Sequence, residues 1–182
     1  LKWKYTLYAY LEVYTHKITS RVKYIFKMLF TQFLGLQVKL TNSVEEFIAF
    51  DGVKISYTKN PLGSELFFSS HSLLFEKGIL DHTVHVKSVK GKKIFFEQTD
   101  NSSLAFDVFA ASFYLLSRYE EYLPHIKDRF QRFPAKESIA YKNGFLKTPI
   151  IEYWLLDLVA VIQQKFPDFM PVERQFTFVN TI

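Results

Sequence analysis

The stretch LEVYTHKITSRVKYIFKMLFTQFLGLQVKLTNSVEEFIAFDGVKISY, residues 11–57, carries the pattern that decides the fold. Apolar side chains spaced three and four residues apart predict a helix that ends before Gly35: Ile18, Val22, Ile25, Phe26, Leu29, Phe30, Phe33 and Leu34. A second, short helix is predicted from the capping box Ser43 to Glu46. Strand patterns lie at 11–15, 36–40 and 53–57. Strands that alternate with helices over so few residues predict a parallel sheet with right-handed crossovers.

The remaining elements are predicted from the same two periodicities, of 2 and 3.6 residues. They are a strand at 65–69, a hairpin of 84–89 and 93–98 about Lys90-Gly91, helices at 105–122 and 148–166, and a strand at 175–182. Because hairpin strands pair antiparallel, the sheet should be mixed. The predicted fold is therefore α/β, a three-layer domain over residues 11–170 with a mixed, mainly parallel sheet plus an antiparallel hairpin.

Composition excludes several classes of protein. Of 182 residues, 48% are apolar and 23% are charged, which is typical of a globular domain. The absence of Cys excludes disulfides, thiolate metal sites and a cysteine nucleophile. The net charge is +5, and 14 Lys and Arg against 7 Asp and Glu lie in residues 1–93. That excess could bind a polyanion, but no basic stretch is combined with a nucleic-acid-binding motif, so solvated lysines are the favoured interpretation.

The predicted helix 105–122 has an acidic residue on its apolar side. Its stripe is formed by Phe106, Phe109, Ala110 and Phe113, and at 100° per residue Ser117 and Glu120 continue it. A buried carboxylate must be paired or remain protonated. We therefore expect Glu120 to accept a bidentate bond from Arg129 or Arg132, which would fasten the polar segment 124–147 over the helix end. Arg118 lies nearer Glu121, three residues on. A ligand-binding or catalytic role for Glu120 is the alternative.

The end of the first strand is a second place to look for a ligand site, because open α/β sheets bind ligands at strand carboxyl ends. His16 lies there, but the segment Tyr14 to Lys17 has no glycine to cradle a phosphate. His16 is therefore expected to act as a hydrogen-bonding residue at the helix start. The cluster Ser70-His71-Ser72 has no identifiable acid, and no phosphate-loop, zinc-protease or serine-hydrolase motif is present in the sequence.

Three parts of the sequence together resemble a known family. They are VYTHKIT with RVKYIF (13–19 and 21–26), FAASFYLLSRYEEYLP (109–124), and DRFQRFP with NGFLKTP (128–134 and 143–149). Over residues 12–182 the chain resembles the N-terminal domain of uncharacterised function that precedes the catalytic barrel in bacterial polysaccharide-deacetylase-like proteins. The resemblance implies that 171–182 is a linker and the first barrel strand. It also implies that an Asp-containing motif with the catalytic base and a metal ligand follows, with His ligands later.

The expected function is a non-catalytic accessory domain of a metal-dependent carbohydrate deacetylase-like hydrolase, packed against its own C-terminal barrel. No catalytic residue, cofactor or metal is expected in this chain, and a divalent metal is expected in the barrel. Carbohydrate is a possible partner, while nucleic acid and membrane are not expected partners. The alternative is an independent glycan- or polyanion-binding module. With no signal peptide or transmembrane segment evident in the sequence, the expected location is cytoplasmic.

Overall fold

Four short strands form the central sheet: β1 (Leu11–Tyr14), β2 (Val38–Thr41), β3 (Lys54–Thr58) and β4 (Leu66–Ser69). The structure, a computed structural model, describes residues 10–98 and 101–172. All neighbouring strands in this sheet are parallel, in the order β2-β1-β3-β4. Val13 at the centre lies opposite Leu40 on one side and Ile55 on the other. The strand predicted at 175–182 lies outside the described residues.

The helix predicted after β1 has two parts. Helix α1 (Ser20–Phe26) begins after Thr19, whose hydroxyl accepts a hydrogen bond from the amide of Val22 at 3.1 Å. It continues as a π-helical segment, Lys27–Phe33, and the wider i to i−5 turn there takes up extra residues before the chain turns at Gly35. Most of the predicted apolar stripe is buried, whereas Phe33 and Ile18, which precedes the helix, are half-buried. Phe26 stacks on Phe109 with ring centroids 4.3 Å apart.

Helix α2 (Val44–Ala49) covers the face of the sheet opposite to the main core. Ser43 caps this helix by accepting from the amide of Glu46 at 3.2 Å, as the capping box predicts. The carboxylate of Glu46, however, accepts from the hydroxyl of Thr41 at 2.9 Å instead of reaching back to Ser43. Successive strand residues point to opposite faces. Tyr14 accordingly contacts Phe47 of α2, whereas its neighbour Val13 lies in the main core.

The predicted hairpin forms a sheet of its own. Strands β5 (Lys87–Val89) and β6 (Lys92–Ile94) pair antiparallel and are shorter than expected. Lys90 and Gly91 both have positive φ, 50° and 80°, which suits the tight turn that two-residue hairpins favour. Within the described residues the hairpin is not hydrogen-bonded to the main sheet, which is therefore wholly parallel.

The single helix predicted over 105–122 is wrong at both ends. Helix α3 spans Val108–Leu116, and Asp107 caps it by accepting from the amides of Phe109 and Ala110 at 3.0 and 2.9 Å. The helix stops because Arg118 adopts the left-handed conformation, with φ of 53°. A separate 3₁₀ turn, Tyr119–Tyr122, follows. Because the helix is interrupted, Glu120 does not continue its apolar stripe.

The C-terminal part of the fold consists of short helical turns and one long helix that packs against α3. A 3₁₀ turn (Ala135–Glu137) and a one-turn helix, α4 (Ile139–Lys142), order part of the segment expected to be irregular. Helix α5 (Ile150–Lys165) packs against α3 and buries most of its predicted stripe: Trp154, Leu155, Leu158 and Ile162. Ile151 and Val159 are half-buried. The α/β class, with a parallel sheet, an antiparallel hairpin and helices on both faces, is confirmed.

Candidate functional site

Glu120 fastens the long loop to the 3₁₀ turn that follows α3, although by a different contact from the one predicted. The predicted bond to Arg129 or Arg132 is wrong, because neither arginine pairs with Glu120 in the part of the chain that the structure describes. Its carboxylate instead accepts from the backbone amide of Ile139 at 2.8 Å, at the start of α4. Burial raises the pKa of Glu120, and the bond from Ile139 opposes this effect.

Arg118 pairs with Glu121, as their spacing predicts. The Nε atom of Arg118 donates to the Oε1 atom of Glu121, and Nη2 forms an ion pair with the same oxygen. The left-handed backbone at Arg118 turns the chain between α3 and the 3₁₀ turn. An ordinary side chain in this conformation is uncommon and is found most often where a particular geometry is required.

Asp128 shapes the tip of the loop. Its Oδ1 atom accepts from the amides of Phe130 and Arg132 at 2.8 and 2.9 Å, an Asx-type turn. Its Oδ2 atom accepts from Nε and Nη2 of Arg132 at 3.1 and 3.0 Å. These hydrogen bonds lower the pKa of Asp128, and the bond from the Arg132 amide has the largest effect. Gln131, at the turn, lies in the left-handed region like Arg118, with φ of 63°.

An exposed aromatic ring lies beside this turn. Phe130 is 58% exposed, and the guanidinium groups of Arg129 and Arg132 lie 4.6 and 4.7 Å from its ring centroid. Cations at this distance are attracted to the ring face. The ring and both arginines are thus presented together at the surface.

Arg132 also borders an open cleft of about 650 Å³, which we call the loop cleft. Its lining is formed by Arg118, Glu121, Asp128, Arg132, Phe133, Pro134 and Ala135. The structure thus brings together Arg118, Glu121 and Arg132 of the predicted site residues, with Arg129 nearby on Phe130. Glu120 does not line the cleft and instead holds the loop through the amide of Ile139. Asp128 was missed, although an Asp two to four residues before a tight turn is a recognisable sequence signal.

His16 lies apart from the loop cleft. It is exposed after β1 and stacks on Phe75, with ring centroids 4.3 Å apart. Burial of part of the ring and the positive charges of Lys17 and Lys59 lower its pKa. It does not cap α1, because Thr19 does so. No contact joins His16 to the cleft lining among the described residues.

A second group of polar residues surrounds His71. The sequence suggested no acid near Ser70-His71-Ser72, but the structure places Glu76 there. The carboxylate of Glu76 accepts from the hydroxyl of Ser72 and bonds to Nε2 of His82 at 2.8 Å. Burial would raise the pKa of Glu76, but these two bonds lower it overall. His71 Nδ1 accepts from the amide of Leu73, so it is not oriented as a base toward a serine.

Asp107 is the most deeply buried carboxylate of this region. Its Oδ2 atom accepts from the hydroxyl of Tyr57 at 2.6 Å and from the amide of His71 at 2.7 Å, in addition to its two bonds at the start of α3. Burial raises its pKa to about 6, although all four hydrogen bonds favour the charged form. Asp107 therefore joins β3, the segment after β4 and α3 into one unit.

Two broader features bear on chemistry. Within residues 10–98 and 101–172, no three His, Asp or Glu side chains are arranged to bind a metal ion. No described helix is both long enough and apolar enough to span a membrane.

Comparison with protein families supplies the remaining evidence. Residues 11–167 match the model of a family of unknown function, DUF7033. Searches of curated proteins and of solved structures found no significant match. The match includes every element from β1 to α5 and the whole loop cleft, which agrees with the resemblance to an uncharacterised domain. The chain therefore belongs to the DUF7033 family.

Proposed function

We propose that this chain is a non-catalytic accessory domain that packs on the catalytic barrel of a polysaccharide-deacetylase-like protein. The resemblance of residues 12–182 to such a domain supports the proposal. In the intact protein, a divalent metal held by the barrel would activate water against an acetyl group. The role of this domain would be to support the barrel and to border its substrate cleft.

The observation that carries this proposal is an apolar groove on α5, which we call the terminal groove. It has a volume of about 270 Å³. Its lining is formed by Leu34, Glu152, Tyr153, Leu155, Leu156, Val159 and Pro171. Leu156 is 65% exposed, and Met170 and Val172 beside Pro171 are 61% and 60% exposed. Neighbouring exposed apolar side chains of this size are typical of an interaction surface.

The last described residues lie beside this groove. The amide of Val172 donates to the carbonyl of Leu34 at 2.9 Å, which holds the segment beside the groove. The resemblance implies that the first barrel strand begins at Phe176, which is four Cα–Cα steps after Val172. A chain of that length reaches at most about 14 Å. A barrel attached there would be tethered next to the terminal groove, where even a weak contact is favoured by the high effective concentration.

The first test is the natural reading frame beyond codon 182. An Asp-x-Asp motif directly after Ile182 would support the proposal, and a stop codon there would overturn it. The chain on its own should show no metal-dependent deacetylase turnover. Measurable turnover by residues 1–182 alone would equally contradict the assignment.

The second test measures docking. The barrel encoded downstream is produced separately and titrated with the wild-type chain and with Leu156→Glu in a calorimeter. A charge placed in an apolar interface should weaken binding at least about tenfold. Ile126→Glu is the matched control, because Ile126 is also exposed, at 71%, but lies on the loop after the 3₁₀ turn. Equal binding by wild type and Leu156→Glu would refute docking at the terminal groove.

A further inference from the structure

The loop cleft combines two guanidinium-carboxylate pairs in one concave surface. Arg118 pairs with Glu121 on one side, and Arg132 pairs with Asp128 on the other. Each arginine uses Nε and Nη2 in its pair, so its Nη1 atom makes no hydrogen bond within the described part of the chain. Both contacts from Arg118 are made with Oε1 of Glu121, and Oε2 makes no hydrogen bond within the described residues. The cleft therefore offers spare donors and a spare acceptor together.

The loop that presents these groups is held in shape before any ligand arrives. Asp128 alone accepts four hydrogen bonds within the turn. Glu120 ties the far end of the loop to the 3₁₀ turn through the amide of Ile139. Left-handed backbone occurs at Arg118, which lines the cleft, and at Gln131, the residue before Arg132. Side chains fixed in this way lose little further freedom on binding, which favours affinity.

Charge and shape narrow the class of ligand. The two arginines are balanced by Glu121 and Asp128, so a polyanion entering the cleft would meet two carboxylates. A hydroxyl group is both donor and acceptor, and it suits a surface that offers both. Phe133, Pro134 and Ala135 supply an apolar wall, and the cleft volume of about 650 Å³ is within the usual range for small-molecule sites, about 300–1,000 Å³.

We propose that the loop cleft binds a neutral oligosaccharide, with sugar hydroxyls on Arg118, Glu121 and Arg132 and an apolar sugar face against Phe133. This goes beyond docking to a barrel. It also concerns residues other than those of the terminal groove, so either proposal can fail while the other stands.

The test titrates the chain, at 150 mM NaCl, with three neutral probes and one polyanion. The neutral probes are cellopentaose, maltopentaose and penta-N-acetylchitopentaose, and the polyanion is a heparin hexasaccharide. At least one neutral probe should show saturable binding by calorimetry or saturation-transfer NMR. Arg118→Gln and Glu121→Gln should each weaken that binding about tenfold, the effect of losing one charge-assisted hydrogen bond.

The matched controls are Lys142→Gln and Glu137→Gln. Lys142 and Glu137 form a similar surface pair, 3.0 Å apart, that does not line the cleft. Both controls should bind like wild type, and circular dichroism should show that all four variants are folded. The proposal is overturned if no neutral probe binds, if Arg118→Gln and Glu121→Gln bind as wild type does, or if only heparin binds and its affinity falls steeply with salt.

Discussion

Replacing Asp107 by Ala should strongly destabilise the domain, because this one carboxylate serves three parts of the fold. It caps α3 through the amides of Phe109 and Ala110 and accepts from the hydroxyl of Tyr57 and the amide of His71. Both Asp107 and Tyr57 are almost fully buried, at 2% and 0% exposure. Water therefore cannot replace the lost acceptor without rearrangement.

The magnitude follows from the two roles of the carboxylate. Loss of a helix N-cap costs about 1–2 kcal/mol. A buried hydroxyl left without its acceptor costs about 1–3 kcal/mol more. We therefore expect Asp107→Ala to lower the free energy of unfolding by about 2–5 kcal/mol, a large share of the 5–15 kcal/mol typical of a domain. Tyr57→Phe should cost about 1–2 kcal/mol, because Asp107 keeps three of its four donors.

A double-mutant cycle separates the shared contact from the rest. Urea unfolding is followed by the fluorescence of the buried Trp154, in a Trp3→Phe background, for both single variants and the double variant. The double variant has no buried hydroxyl that could be left without an acceptor. Its loss in free energy of unfolding should therefore be smaller than the sum of the two single losses by about 1–2 kcal/mol. Strict additivity, or a loss under about 1 kcal/mol for Asp107→Ala, would refute this account of the network.

Three further predictions concern the stability contributed by Asp107 at different pH, by Glu120 in the loop, and by Gly35. The pKa of Asp107, raised from 3.8 to about 6, means that the folded state binds more protons between these values. Stability should therefore fall as pH rises from about 4 to 6, by up to about 3 kcal/mol, and Asp107→Asn should abolish that slope in urea melts. Glu120→Ala should cost about 1 kcal/mol and speed hydrogen exchange at the amide of Ile139, whereas an unchanged exchange rate would argue against the contact. Gly35→Ala should destabilise by at least about 1 kcal/mol, because φ is +70° and the new Cβ would lie 2.7 Å from Val172, and wild-type melting would contradict this.

The β-α-β core could be predicted because its signals are local. The alternation in 36–40 and the cap at Ser43 depend on a few neighbouring residues, and both appear in the structure with shifts of one or two residues. The hairpin turn at Lys90-Gly91 was likewise recognisable from its own sequence. Which sheet the hairpin joins was not predictable, because that depends on packing between distant segments.

The candidate site was predicted only in part, for a specific physical reason. The 3.6-residue pattern continued through Ser117 and Glu120, but the backbone reverses at Arg118, and no proline or glycine marks that point. Once the helix ends there, Glu120 points to Ile139 instead of the arginines. The pair of Arg118 and Glu121 survived because a spacing of three residues can be bridged in either geometry.

The two proposed surfaces are connected through helices α3 and α5. The loop cleft starts at the end of α3, which is apolar all round and buried along most of its length. The terminal groove lies on the outer side of α5, whose inner side packs against α3 and buries Trp154 in the core. Close-packed helices move together as one body. A saccharide bound in the loop cleft would therefore keep a fixed orientation toward a barrel docked at the terminal groove. Leu156→Glu, which weakens docking of the barrel, should then leave the affinity for the saccharide unchanged. The bound saccharide would, however, no longer be held in a fixed orientation toward the barrel.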